Sequence, residues 1–356
     1  MKHIVFFSSH LRIGGMEKAL VCLLNRLSEK YRVDLVLEQC DGELLSELSK
    51  NITVSEFSLS SFNFPPFRKI HNFSKRLLWS VFNRNKYDFS CSYSTYSPLC
   101  AKLALIASKN NALYIHSNYC KLYDDDNNLK DFFDSIELLK FKNKIFVSNE
   151  SRNSLIKVFP EIESTSQVIN NLVNGDEIIS LAELNDDVAF SKEDINLLFL
   201  GRLDNSSKNF KLLIETIKEI TDKKLKLYIV GDGPDKQMLF DLIKTNGMSD
   251  RVIPVGQKEN PYPLLKACDG IILTSYYEGF PVVYLESLVL GKKIFTTVPT
   301  SDGIIDIRNS AVILTYDACE NAKIICDAFS ENTVQKFDYE IYNNKILKNI
   351  YEIIGA

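Results

Sequence analysis

The sequence predicts an α/β protein made of two doubly wound, parallel-sheet domains. Three observations lead there. The 356 residues exceed what one hydrophobic core usually holds. Short β-rich runs alternate with helical patterns along almost the whole chain, which is the signature of a parallel sheet with helices on both faces. That alternation breaks once, near the middle, and then resumes.

In the first half the strand runs are "HIVFFSS", "RVDLVLEQ", "ITVSEF", "YDFSCSYS", "ALYIH" and "KIFVSN". Helical patterns separate them. The first starts at Met16, where Ala19, Leu20, Leu23, Leu24 and Leu27 recur at helical spacing. Residues 174–193, "NGDEIISLAELNDDVAFSKE", are acidic and carry no strand pattern, so they read as the crossing between domains. This divides the chain into 1–175 and 190–337. The second series is "INLLFLG", "LKLYIVG", "RVIPVG", "DGIILTS", "KKIFTT" and "AVILTY". The final segment, 338–356, predicts a helix with Ile341, Ile346, Ile350 and Ile353 near one side, which needs a surface to pack on.

Composition narrows the class. Apolar residues make up 45% and charged residues 25%, as in ordinary globular proteins. A net charge of -4 argues against a surface made for nucleic acid, and none is expected as a partner. The eight cysteines are scattered without CxxC spacing, so they read as reduced, mostly buried thiols of a cytoplasmic protein. The N-terminal apolar run, Ile4 to Phe7, reads as a first strand and not a signal peptide. No run of about 18 apolar residues predicts a membrane span.

Ligands of doubly wound sheets bind beyond the carboxyl ends of the strands, so function is sought in the residues that follow each strand. Gly14-Gly15 precedes the first helix, either as a tight turn or as a place where backbone meets an anion. A full GxGxxG and a ribose-binding acid after the second strand are missing, which disfavours a nicotinamide dehydrogenase. His116, one of four histidines, closes an apolar strand, and it is either structural or part of a site. Arg202 and Lys208 follow the strand "INLLFLG", with Lys208 expected at a helix start. Cations there are unfavourable unless they meet an anion, and the alternative is two solvated surface charges. Asp232-Gly233 reads as a turn, with Pro234 at a first helical position. After "DGIILTS" comes "YYEGFPVVYLES": Glu278 in the loop, Pro281 at the helix start, and Glu286 one turn in, where so apolar a run demands donors for its carboxylate.

"EGFPVVYLES", with its two glutamates eight positions apart, resembles the motif of retaining glycosyltransferases of the GT-B fold, in particular glycosyltransferase family 4. "GGMEKAL", "YIHSNY", "LGRLDNSSKN", "VGDGP" and "KENPYPLLKACDGIILTSYYEGFPVVYLESLVLGKKIFTT" occur in that family's order, so the resemblance spans nearly the whole chain. It implies two Rossmann-like domains facing a cleft, and a final helix that crosses back to the first domain. It implies a nucleotide-sugar donor, UDP-linked by family frequency, and a glycan or polyprenyl-linked acceptor in capsule, exopolysaccharide or lipopolysaccharide synthesis. By the same resemblance Arg202 and Lys208 bind the diphosphate, and Glu286 holds the ribose hydroxyls. Glu278, with the backbone of Gly279, Phe280 and Pro281, holds the transferred sugar and the distal phosphate. Gly14 and Gly15 approach the phosphate from the other domain, and His116 lies near the reacting carbon.

Two stretches depart from the family pattern. "SDGIIDI" at 301–307 is shorter than the usual glycine-rich loop, and Asn174 stands where relatives often carry an acid. With two cations at the diphosphate no metal is expected, and "YDDDNN" at 123–128 reads as a helix-capping loop. The segment 67–86 is basic and acid-free, with Ile70, Phe73, Leu77 and Val81 at helical spacing. It is either a peripheral contact with the inner face of the plasma membrane or a sheet-packing helix with a solvated basic face. A nucleotide-sugar epimerase and a non-catalytic nucleotide-sugar-binding scaffold share the architecture.

Overall fold

The computed structural model describes residues 1–59, 65–123, 125–188, 190–301, 305, 307–330 and 337–355. The chain forms two compact units, Met1–Leu172 with Asn344–Ala356, and Val173–Asn343.

The first unit holds seven strands: β1 His3–Ser8, β2 Arg32–Leu37, β3 Ile52–Glu56, β4 Phe89–Ser92, β5 Asn111–Ile115, β6 Asn143–Phe146 and β7 Ser166–Val168. They form one parallel sheet in the order β3-β2-β1-β4-β5-β6-β7. β4 and β5 are buried along their whole length, as strands covered on both faces must be. The core on one side of this sheet includes Val5, Phe7, Leu113, Ile115, Phe133 and Phe146. The three-residue edge strand β7 has no counterpart in the sequence reading.

The second unit holds β8 Ile195–Leu200, β9 Leu225–Val230, β10 Val252–Gly256, β11 Gly270–Leu273, β12 Lys293–Thr296 and β13 Val312–Ile313. Its parallel order is β10-β9-β8-β11-β12-β13.

Several expectations need correction. Residues 174–193 are not a plain crossing: they contain the helix Gly175–Ala182, capped by the Asn174 side chain, which accepts from the Glu177 N–H at 3.4 Å. Ile178 and Ala182 bury that helix in the second unit, and Asn260 Nδ2 donates to the Leu181 carbonyl at 2.9 Å. In the helix Tyr339–Ile354 the buried side chains include Tyr342, Ile346, Ile350 and Ile353, whereas Ile341 is exposed. The last turns of this helix lie on the first unit, where Asn110 Nδ2 donates to the Ile353 carbonyl at 3.0 Å and Tyr31 packs edge-on to Tyr351. Cys40, Cys319 and Cys326 are exposed, so burial of the thiols is less general than expected.

The basic segment forms the helix Pro65–Asn83. Trp79 joins it to the first unit's core, with its ring 5.8 Å from Phe7 and 5.9 Å from Phe57. Its apolar stripe faces away from the unit, which contradicts the sheet-packing reading. In the 123–128 stretch Asp125 caps the helix Asp126–Ser135 by accepting from the Asn127 N–H at 3.2 Å, while Asp124 lies outside the described residues. Most of 301–307 also lies outside them. Among the described residues no helix is long and apolar enough to cross a membrane.

Candidate active site

In the second unit β8 and β11 are neighbours in the sheet although β9 and β10 come between them in the chain. The connections leave in opposite directions here, which opens a crevice at the carboxyl ends of these two strands. The loops after β8 and β11 bring the predicted residues of this unit together.

The loop after β8 is held rigidly. Leu203 N donates to the Asp232 carbonyl at 2.9 Å, Asp235 N to the Leu203 carbonyl at 3.0 Å, and Asn205 N to Asp235 Oδ2 at 2.7 Å. Gly231 makes this possible: its φ is +148°, and a Cβ there would lie 1.9 Å from the Gly201 carbonyl oxygen. "VGDGPD" is thus a clamp on the "GRLDNSSK" loop. Pro234 precedes the N-cap Asp235 of the helix Lys236–Thr245 and does not occupy its first helical position.

The clamp leaves Arg202 exposed, with no ion pair to it among the described residues. Lys208 is not at a helix start as expected. It ends the short helix Asn205–Lys208, and Asn209, in left-handed conformation, caps the next helix, Phe210–Glu219. Thr274 Oγ1 donates to the Lys208 and Asn209 carbonyls at 3.1 and 3.2 Å, which ties the end of β11 to this turn.

Glu278 therefore meets Lys208. Lys208 Nζ donates to Glu278 Oε1 at 2.5 Å, Ser275 Oγ donates to the same oxygen at 2.6 Å, and the ion-pair side chains are only 13% and 12% exposed. The family resemblance implies the diphosphate for Lys208, and the sugar with the distal phosphate for Glu278 and the backbone after it; in the fold the Lys208 and Glu278 side chains are themselves paired. A cation so placed is fixed in position before any anion arrives, which is the preorganisation that transition-state charge requires.

Gly279 and Phe280 are buried beside this pair, and Pro281 is the N-cap of the helix Val282–Val289. Pro281 has no N–H, so within Gly279–Pro281 the backbone donors are those of Gly279 and Phe280. Glu286 is buried in the helix, and Tyr262 Oη donates to its Oε1 at 2.9 Å. This is the donor that the apolar surroundings demanded. Tyr262 was not singled out, and "KENPYPLL" carries no signal that its hydroxyl reaches a glutamate 24 residues away.

In the first unit the switch point lies between β1 and β4. Ser8 and Ser94 hydroxyls are 3.0 Å apart, and Ser9 N donates to Ser94 Oγ at 3.0 Å. Gly15 opens the helix Gly15–Ser28, and Gly14 is its extended N-cap. A Cβ on Gly14 would lie 2.3 Å from Glu17 Oε2, so the glycine admits a carboxyl group that folds back over the helix start. Glu17 is buried, burial pushes its carboxyl above the ordinary carboxylate range, and His10 Nδ1 stands 3.9 Å away. Glu17 is a second residue the sequence reading passed over. Its signal is an acid in the first helical turn after a glycine pair.

His116 follows β5 directly. Its ring stacks on Tyr114 at 5.2 Å and lies 4.4 Å from Tyr93. The residue is half-buried, and its Nε2 is buried without a hydrogen-bond partner among the described residues. Burial pushes its pKa from 6.5 down to about 3, so the imidazole is neutral at physiological pH. The folded value lies below the unfolded one. Between pH 6.5 and about 3 the unfolded chain therefore binds a proton that the folded chain refuses, and stability falls as pH drops through that window. His116→Gln should flatten part of this acid-side loss in thermal unfolding across the window; an unchanged slope would mean that His116 is charged in the fold.

Two parallel α/β units, each with charged side chains gathered at its switch point, form the architecture of the GT-B glycosyltransferases. Residues 182–312 match the family described as glycosyl transferases group 1. The chain is 27% identical over 303 residues, 81% of its length and 77% of the relative's, to the Campylobacter jejuni GalNAc-alpha-(1->4)-GalNAc-alpha-(1->3)-diNAcBac-PP-undecaprenol alpha-1,4-N-acetyl-D-galactosaminyltransferase. It is 28% identical over 308 residues, 81% and 78% of the two chains, to the same organism's N-acetylgalactosamine-N,N'-diacetylbacillosaminyl-diphospho-undecaprenol 4-alpha-N-acetylgalactosaminyltransferase. Among solved structures, Anabaena HepE in complex with UDP and glucose superposes with a TM-score of 0.76 at 18% identity, over 98% of this chain and 99% of its own. The fold is GT-B, and the chain is a glycosyltransferase of that fold class.

Proposed function

We propose that this protein is a retaining glycosyltransferase of family 4 type, moving a sugar from a UDP-sugar to a polyprenyl-linked or other glycan acceptor in surface polysaccharide synthesis. The observation that carries this reading is the pair of loops after β8 and β11, which hold the Lys208 ammonium on Glu278, with exposed Arg202 in the first loop and Glu286 buried in the helix after the second. The donor and acceptor classes are supported by the two Campylobacter enzymes, whose names specify undecaprenyl-diphosphate-linked glycans, and by HepE, solved with UDP and glucose.

In this reading Arg202 and Lys208 hold the diphosphate, and Glu286, oriented by Tyr262, accepts from the ribose hydroxyls. Glu278 accepts from hydroxyls of the transferred sugar, and the Gly279 and Phe280 N–H groups meet the distal phosphate. Gly14 and Gly15 offer backbone to the phosphate side, and neutral His116 lies by the sugar.

In the reaction the bond from the anomeric carbon to the diphosphate oxygen breaks, and its electron pair stays on that oxygen. The acceptor hydroxyl oxygen bonds the same carbon on the same face, and its proton passes to the leaving phosphate oxygen. Negative charge grows where Arg202 and Lys208 sit, so their attraction is greater in the transition state than in the ground state. No protein base is needed, and the charge a metal ion would supply comes from these two side chains. A polyprenyl-linked acceptor puts the enzyme at the inner face of the plasma membrane.

The test is transfer from UDP-N-acetylhexosamines and UDP-hexoses to undecaprenyl-diphosphate glycans, with the product's anomeric configuration read by NMR. The expected product keeps the donor's α configuration. An inverted product would refute retention, and acceptor-independent epimerisation of the donor would replace transfer by the epimerase reading.

A further inference from the structure

The helix Pro65–Asn83 is amphipathic in the wrong direction for a helix that packs on a sheet. Phe67, Ile70, Phe73, Leu77, Leu78 and Val81 are each between 53% and 68% exposed, and no residue of this helix is fully buried. The less exposed side chains are Asn72, Lys75, Trp79, Ser80 and Asn83. At about 100° per residue the mean direction of the apolar six lies roughly 170° from that of Asn72, Lys75, Trp79 and Asn83. The apolar stripe therefore points directly away from the body of the first unit.

The contact that fixes this orientation is specific. Trp79 inserts between Phe7 and Phe57, Lys75 Nζ donates to the Ser58 carbonyl at 2.7 Å, and the same ammonium lies 5.2 Å from the Phe57 ring centroid. Rolling the helix to bury its apolar stripe would break all of these. Single exposed apolar residues are ordinary, but a continuous stripe of six on one helix marks a surface that something covers.

Charge identifies what covers it. Residues 65–86 carry Arg68, Lys69, Lys75, Arg76, Arg84 and Lys86 and no acid, within a chain whose net charge is -4. On the helix, Arg68, Lys69, Lys75 and Arg76 flank the body-facing side. A helix laid flat with its stripe in the acyl region would hold these cations at the level of the lipid phosphates, with their stems reaching upward. A helix of 19 residues is about 28 Å long, so it gives an extended footprint without spanning the bilayer.

We infer that the helix Pro65–Asn83 is an interfacial membrane anchor, inserting Phe67, Ile70, Phe73, Leu77, Leu78 and Val81 into one leaflet of an anionic bilayer. Neither the orientation of the stripe nor its charge depends on the donor chemistry, so this inference and the proposed reaction can fail separately.

The test is sedimentation of the full-length protein with liposomes. One set is phosphatidylcholine with about one-third phosphatidylglycerol, the other phosphatidylcholine alone. The wild type should bind the anionic vesicles and lose most of that binding in high salt. Ile70→Ser/Leu77→Ser/Val81→Ser should lower the partition coefficient at least about tenfold. Because these side chains are exposed, its melting temperature and UDP-sugar binding should stay at wild-type values. Lys69→Gln/Arg76→Gln should weaken binding to anionic vesicles and leave the weak binding to neutral ones unchanged. The inference is overturned if the wild type binds neither vesicle, or if the triple variant binds as well as the wild type. It is also overturned if sedimentation velocity shows a dimer that the triple variant abolishes while vesicle binding is absent, which would make the stripe an interface between two copies.

Discussion

Arg202→Ala should lower kcat about 10²- to 10³-fold, the usual loss when one preorganised group facing transition-state charge is removed. It should do so without harming the fold. Arg202 is exposed and makes no ion pair among the described residues, and the loop that carries it is held by the backbone bonds to Asp232 and Asp235. An unchanged melting temperature with a collapsed kcat separates a catalytic cation from a structural one. Lys208→Ala should cost as much in rate, and some stability as well, because Glu278 would keep its mostly buried carboxylate with, among the described residues, the Ser275 hydroxyl alone to answer it. Lys208→Arg should not rescue fully, since a planar guanidinium does not reproduce a compact ammonium that sits 2.5 Å from Glu278 in a mostly buried pair. If both alanine variants turned over at the wild-type rate, the leaving phosphate would have to be stabilised elsewhere.

Glu286→Gln should raise the Kd for the nucleotide sugar about 10- to 100-fold. A hydrogen bond to a charged acceptor contributes about 1.5–3 kcal/mol, and the amide accepts more weakly while adding donors that face ribose hydroxyls. The Glu286 carboxylate is positioned by the Tyr262 hydroxyl at 2.9 Å, so Tyr262→Phe should weaken donor binding in the same direction by a smaller factor. The readout that separates this role from a structural one is the split between constants. Glu286→Gln should act on donor KM more than on kcat, the reverse of Arg202→Ala.

The inner strands were legible because parallel strands covered on both faces read as apolar runs; "NALYI" and "GIIL" are buried at every position. β7 was not, since "SQV" is three residues at a sheet edge with no period to detect. The helix Gly175–Ala182 hid in an acidic stretch that carries no strand pattern and so reads as the crossing between domains. The donor-side residues could be nominated from their places after strands, but their mutual geometry could not. Lys208 and Glu278 are 70 residues apart, and they meet only because β8 and β11 are neighbours in the sheet. Periodicity also found the stripe Ile70, Phe73, Leu77 and Val81. It cannot say which way a stripe faces, and here Trp79, a single residue off that stripe, turned it outward.

The central claim is that the β8–β11 crevice is the nucleotide-sugar site, and isothermal titration of UDP-, GDP- and ADP-sugars into the wild type and Glu286→Ala tests it most directly. One nucleotide class should bind the wild type with a stoichiometry of one per chain and fail to bind the variant. If no member of the panel binds the wild type, or if Glu286→Ala binds as tightly as the wild type, the nucleotide sugar does not occupy this crevice.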